Sequence, residues 1–198
     1  FFEHRFIVTP DVLDPRPETE LLVVEALKES FQNVLDLGTG SGCILLSLLA
    51  KKINVQGVGI DISAAAISIA RRNAKNLHLE SRVNLNVSDW FSNVGKRKFD
   101  LIVSNPPYVH PNQLELLSPE VLHEPMLALT DNEDGLNAFK EIATNAQKFM
   151  VAGGRLIFEI GFDQGPAVAD ILNISGFQDI RVLPDLNGSD RIVSCCLK

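Results

Sequence analysis

The chain reads as an α/β protein with a doubly wound, mostly parallel sheet, and three observations carry that reading. Short buried apolar runs alternate with stretches of helical period along most of the 198 residues. Four of those runs stop abruptly at their carboxyl ends: Leu37 on a glycine loop, Ile60 on Asp61, Val87 on Ser88 and Asp89, and Ser104 on Asn105. The last two runs, Phe177 to Val182 and Arg191 to Leu197, follow each other without a helix, as a strand pair. In open α/β sheets ligands bind at the carboxyl edge, so the four strand ends are the candidate site.

The bulk numbers bound the rest. With 45% hydrophobic and 22% charged residues, the chain is one globular domain large enough for a substantial core. Apolar runs are short and interrupted, and no basic-then-apolar leader opens the sequence, so no membrane contact and a cytoplasmic setting are expected. Cys43, Cys195 and Cys196 have neither metal-ligand nor disulfide spacing and read as small core residues; no metal is expected. A formal net charge of −7 counts against a broad phosphate-binding face, so direct nucleic-acid binding is not expected. Separately, a monomer is expected. The chain opens on Phe1 rather than Met, within a strand-like alternation, and is expected to be a piece of a longer protein.

In order, the alternation of Phe2, His4, Phe6 and Val8 before Thr9-Pro10-Asp11 predicts a β-hairpin, and Pro15 to Glu20 predicts a helix start running to about Ser30. Residues 1–30 are thus expected to form a hairpin and helix that lead into the main domain over 31–198. Val34 to Leu37 is a buried strand that enters Gly38-Thr39-Gly40-Ser41-Gly42, followed by an apolar helix from Cys43 to about Ala50. Strand, glycine loop and helix N-terminus form the arrangement that cradles nucleoside or phosphate. A second strand, Val55 to Ile60, ends at Asp61, nineteen residues past Gly42, close to the spacing at which an acid takes a ribose hydroxyl pair.

Ser63 caps the next helix, whose Arg71, Arg72 and Lys75 read as a solvated face. The third strand, Val83 to Val87, ends at Asp89 and Trp90, where the acid could accept from an adenine amino group while the indole packs on the ring; a turn acid beside a core aromatic is the competing reading. The fourth strand ends at Asn105-Pro106-Pro107-Tyr108. Asn105 and the Pro106 carbonyl offer two acceptors in a backbone fixed by prolines, which suits a planar NH2 group with Tyr108 against its flat face; a loop that merely ends a strand is the alternative. Residues 106–134 show no clear period and carry His110 and His123, read as solvent-exposed. A helix from Gly135 to Met150, a Gly153-Gly154 turn, a strand from Arg155 to Ile160 and a helix from Pro166 to Ile174 complete the alternation.

With these motifs in place, the sequence resembles the HemK/PrmC family of protein-(glutamine-N5) methyltransferases. The resemblance covers Pro15 to Glu20, Asp36 to Gly42, Asp61 to Ser63, Ser88 to Phe91, Asn105 to Tyr108, Glu124-Pro125, Leu127 to Leu129, Glu133 to Leu136, Glu159 to Gly161 and Asp163 to Gly165. It implies the seven-stranded class I fold that uses S-adenosylmethionine, with an antiparallel C-terminal strand. It also implies that Gly38 to Gly42 pass under the methionine portion, that Asp61 binds the ribose, and that Asp89 and Trp90 hold the adenine. Asn105 to Tyr108 would then grip the glutamine of a Gly-Gly-Gln tip on peptide-chain release factors, with direct attack of the amide nitrogen on the methyl. Asp14 stands where the family usually has an apolar residue, and the family's N-terminal helical domain is not in these residues. An amino-methyltransferase acting on adenine or guanine in nucleic acid would meet the same NH2 problem, with a base flipped onto Tyr108. A non-catalytic cofactor-binding module would not need Asn105 to Tyr108 at all.

Overall fold

Side chains alternate across a strand with a period of two, and in the computed structural model that period sorts the core into two layers. The structure describes residues 1–116, 121, 124–131 and 133–198. Seven strands, β1 (Asn33–Leu37), β2 (Gln56–Asp61), β3 (Val83–Val87), β4 (Phe99–Ser104), β5 (Met150–Glu159), β6 (Gln178–Pro184) and β7 (Asp190–Cys196), form one sheet in the order β3-β2-β1-β4-β5-β7-β6. Strands β1 to β5 pair in parallel, and β7 runs antiparallel between β5 and β6, as expected for the fold class. The helices are α1 (Glu20–Leu27), α2 (Cys43–Lys51), α3 (Ala64–Asn76), α4 (Met126–Leu129), α5 (Asn137–Ala146) and α6 (Gly165–Ile174). Val34, Leu101, Val103 and Ile157 join the cluster built with α1 to α3, while Leu35, Leu37, Ile102, Leu156 and Phe158 join the one built with α5 and α6. Coverage on both faces explains the nearly continuous apolar strands.

The strand order reverses between β1 and β4, which makes their carboxyl ends the switch point at which a crevice opens. Leu37 pairs with Ser104 in register, so the chain leaves both strands side by side, into the glycine loop on one and into Asn105 on the other.

Three expectations need correction. No strand forms among residues 1–16, so the N-terminal hairpin does not exist. Asn73 of α3 takes the place of a strand partner: its side chain accepts from Ile7 N at 2.7 Å and donates to Ile7 O at 3.0 Å, which satisfies the backbone that a ladder would have used. Phe2 and Phe6, read as one face of a strand, instead pack with Phe1 against the α1–α3 cluster. The helix predicted to reach Met150 stops at Ala146, passes through a 3-10 turn at Gln147–Phe149, and gives Met150 to β5. Gly153 and Gly154 lie inside β5, where the pairing with β4 shifts register between Phe99 and Leu101; the positive φ of Gly153 (72°) suits such a bulge.

Between Pro106 and Asp134 the chain forms a 3-10 turn (Pro111–Leu116) and the short α4. His123, expected to be solvent-exposed, lies outside the described residues. Among the described residues no helix is long and apolar enough to cross a membrane.

Candidate active site

A cavity of about 400 Å3 opens over the carboxyl ends of β1, β2 and β3, lined by Gly38 to Ser41, Asp61, Ser88 to Trp90, Asn105 and Pro107. The loop that floors it is held by its own backbone: Thr39 N donates to Ile60 O at 2.8 Å and Gly42 N to Thr39 O at 2.8 Å. Gly38 (φ 71°) and Gly40 (φ 54°) take left-handed conformations, and nothing lies within 4 Å of where a Cβ would stand on either, so a side chain would project into open space beside the loop. Gly42, expected among the cofactor contacts, does not line the cavity. It precedes α2 in a left-handed conformation, and a Cβ there would meet Leu46 at 3.0 Å and Ala70 at 3.3 Å, so its part is to let α2 pack against α3.

Asp61 accepts from Gly40 N and from Ser63 N, each at 2.9 Å, which ties the end of β2 to the glycine loop and leaves carboxylate lone pairs facing the cavity. Burial pushes its carboxyl above the usual range, and the Ser63 and Gly40 amides pull against that. Below the loop, Asp36 is fully buried; burial raises its carboxyl to about 7, opposed by the Thr39 hydroxyl, which donates to it at 2.7 Å. At the third strand end Trp90 is half-buried with a positive φ of 40°, and its carbonyl accepts from Ser88 Oγ at 2.7 Å. A strained residue fixed by its neighbour at a cavity wall belongs with functional sites. Asp89 stands exposed at the rim.

The Asn105–Tyr108 tetrad separates this cavity from a second one of about 220 Å3, lined by Asn105, Pro106, Tyr108, Arg16 and Glu159 among others. Asn105 lines both. Tyr108 donates its hydroxyl to Glu159 Oε1 at 3.3 Å; burial, reinforced by the Glu159 charge, raises the phenol, so it remains a protonated donor. Glu159 is itself buried, and burial raises its carboxyl, against the pull of the Thr19 hydroxyl and of Arg191. At the mouth, Arg16 Nη2 donates to Glu124 Oε1 and Oε2 at 2.6 and 2.8 Å, joining the Pro15 to Glu20 element to the stretch after the tetrad.

Several residues of the site were given no role by the sequence, although Thr19, Leu127 and Ala128 lie in stretches that carry the resemblance. Val12 to Asp14 and Thr19 come in from the N-terminal segment; Leu127, Ala128 and Asp131 come from the stretch after the tetrad; Asn137 and Glu141 come from α5. Asp131 caps the entry to α5, accepting from Glu133 N, Gly135 N and Asn137 N at 2.9 to 3.1 Å. Asn73, mid-helix in α3, also donates to Ser41 O at 2.9 Å and so couples the N-terminal segment to the glycine loop. Its one mark in the sequence is position: it falls seven, four and three residues after Ala66, Ile69 and Ala70, on the apolar stripe of α3.

The glycine loop and strand-end acid at the switch point of a seven-stranded sheet whose β7 runs antiparallel place the chain among the class I methyltransferases. The chain matches the model of the methyltransferase small domain over residues 11–132. It is 50% identical over its whole length to the release factor glutamine methyltransferase of Cereibacter sphaeroides, of which it covers 71%, and 44% identical to that of Caulobacter vibrioides, with 94% of this chain and 66% of the relative aligned. It belongs to the release factor glutamine methyltransferase family. Among solved structures it superposes on a methyltransferase from Pyrococcus furiosus with a TM-score of 0.74 at 15% identity, covering 96% of this chain and 87% of that one, a likeness of fold.

Proposed function

We propose that this chain transfers a methyl group from S-adenosylmethionine to the side-chain amide nitrogen of the glutamine in the Gly-Gly-Gln motif of peptide-chain release factors. The observation that carries this reading is the place of the Asn105–Tyr108 tetrad: Asn105 lines both cavities, Pro107 the one of about 400 Å3, and Pro106 and Tyr108 the one of about 220 Å3. The residues present fit the cofactor. The open space over Gly38 and Gly40 leaves room for close approach, and Asp61, positioned by two backbone amides, retains acceptors for a ribose. Gly38 to Ser41 would hold the methionine portion, Asp61 the ribose, and Asp89 with Trp90 the adenine. When bound, S-adenosylmethionine supplies an electrophilic methyl group.

The rest is done by the chain's own residues. The Asn105 side-chain carbonyl and the Pro106 carbonyl accept from the two hydrogens of the target amide, which fixes its plane and raises electron density on the nitrogen. Tyr108 packs on the flat face, its hydroxyl anchored to Glu159. Positioning of this kind supplies roughly 7 to 11 kcal/mol in well-oriented reactions. Methylation of a base in nucleic acid is disfavoured by the net charge of −7 and by the relatives at 44 to 50% identity.

The test is methyl transfer from labelled cofactor to a release factor, tRNA, rRNA and DNA side by side, with the modified residue located by mass spectrometry. Label on the release-factor glutamine is the expected result; label confined to nucleic acid overturns the assignment.

A further inference from the structure

Gln164 lies in the turn between β5 and α6, half-buried, and its side-chain amide is engaged wholly by backbone from three separate segments. Its Oε1 accepts from Gly161 N at 2.9 Å, while its Nε2 donates to Tyr108 O at 3.1 Å and to Gly135 O at 3.1 Å. Two glycines make room for it. A Cβ on Gly135, whose φ is 72°, would stand 2.5 Å from Tyr108 O and 3.1 Å from Gln164 Nε2, and a Cβ on Gly161 would stand 2.9 Å from Gln164 Oε1. Tyr108 is therefore held at both ends from the carboxyl end of β5: by Glu159 at its hydroxyl and by Gln164 at its carbonyl.

A Pro-Pro pair fixes φ at two residues but not at Tyr108, the pivot between them and Val109, whose N–H donates to Leu129 O at 2.8 Å, and β4 has already ended at Ser104. The Gln164 bond stands at that pivot. We propose that Gln164 is a positioning residue for methyl transfer: its amide fixes the Tyr108 backbone, and through it the Asn105–Tyr108 tetrad, in the shape that holds the target nitrogen. The inference rests on the reading of that tetrad given above. The role demands an amide, because one acceptor and two donors are used at once. A carboxylate would still accept from Gly161 N but would face two carbonyl oxygens, whereas a carboxylic acid could donate to one of them.

That chemistry sets the test. Gln164→Leu and Gln164→Glu, with Asn105→Ala alongside, are assayed for kcat and KM on a release factor from pH 6 to 9, for S-adenosylhomocysteine affinity by calorimetry, and for thermal midpoint. Gln164→Leu is expected to lower kcat by about 10- to 100-fold, in the range of a sub-ångström to 1 Å misplacement, with cofactor affinity held within about threefold. The rate of Gln164→Glu relative to wild type should rise as pH falls, as the carboxyl regains a proton to donate. A purely structural role would lower the thermal midpoint and leave that ratio flat. Should Gln164→Leu not fold, the pH dependence of Gln164→Glu decides. Wild-type turnover in Gln164→Leu, or a flat ratio in Gln164→Glu, overturns the proposal; with Asn105→Ala impaired, either result removes Gln164 alone. Wild-type turnover in Asn105→Ala removes the tetrad reading, and the role of Gln164 with it.

Discussion

Gly38 to Ser41 and Asn105 to Tyr108 leave neighbouring strands that are paired Leu37 to Ser104, yet they are held by different means. The glycine loop is fixed mainly by near partners, Asp36 to Thr39, Thr39 to Gly42 and Asp61 twenty-one residues from Gly40, with Asn73 reaching Ser41 from thirty-two residues further on. The tetrad is fixed by Glu159 and Gln164, 51 and 56 residues from Tyr108, and its mouth by Arg16 and Glu124, 108 residues apart. The floor of the cofactor cavity is built within residues 36–73, while its other walls come from residues 11–19 and 125–141. The target amide arrives on a macromolecule, and the groups that receive it are assembled from both ends of the chain.

The largest effect expected concerns the cradle. Folded, Asp36 keeps its proton up to about 7; unfolded, it loses it near 4, so between those values the folded state binds more protons and stability falls as pH rises. Asp36→Asn, which cannot ionise, should gain on wild type by about 4 kcal/mol between pH 4 and pH 8, read by urea unfolding. A stability difference that stays constant with pH would show that Asp36 is not held neutral beneath the loop.

On the tetrad side, Asn105→Ala should cut turnover by about 10²-fold or more while S-adenosylhomocysteine affinity changes little. Equal losses in both would erase the division between the two ends. The complementary change, Asp61→Ala, removes hydrogen bonds to a charged group worth roughly 1.5 to 3 kcal/mol, so affinity for S-adenosylhomocysteine should drop by about 10- to 100-fold without unfolding. Calorimetry showing unchanged affinity would take the ribose role from Asp61.

Smaller effects probe the long-range supports. Gly135→Ala would place a methyl group 2.5 Å from the Tyr108 carbonyl in a left-handed conformation, and about a tenfold loss of kcat is expected, larger in proportion than any loss of cofactor affinity. Should cofactor affinity fall further than kcat, Gly135 would belong to the cradle instead. Last, Glu124→Gln weakens a partly exposed ion pair with Arg16, worth about 1 kcal/mol or less. Its expected signature is a raised KM for the release factor with cofactor affinity unmoved, and a change in the latter alone would show that the pair serves the cradle.

How much of this was legible follows the same division. The strands apart from the first half of β5, the Ser63 cap (accepting from Ala66 N at 3.2 Å) and the cavity-facing residues Gly38 to Ser41, Asp61, Asp89, Trp90 and Asn105 are legible in the sequence, because each is announced by its immediate neighbours. The expected N-terminal hairpin does not form, since alternation reports only that one side of an extended segment is apolar. Here that side packs on helices while Asn73 occupies the backbone.

What the sequence by itself determined is the alternation of strands and helices, the abrupt strand ends and the chemistry placed at each, because hydrophobic period, glycine and proline act within a few residues. The tertiary structure alone decided that Gly42 serves helix packing, that Gln164 meets Gly161, Gly135 and Tyr108 at one point, and that Arg16 reaches Glu124. Those contacts depend on which strand lies beside which and on where two chain segments cross. A side-chain amide carries no mark of the distant carbonyl it will bind until the sheet has brought the two together.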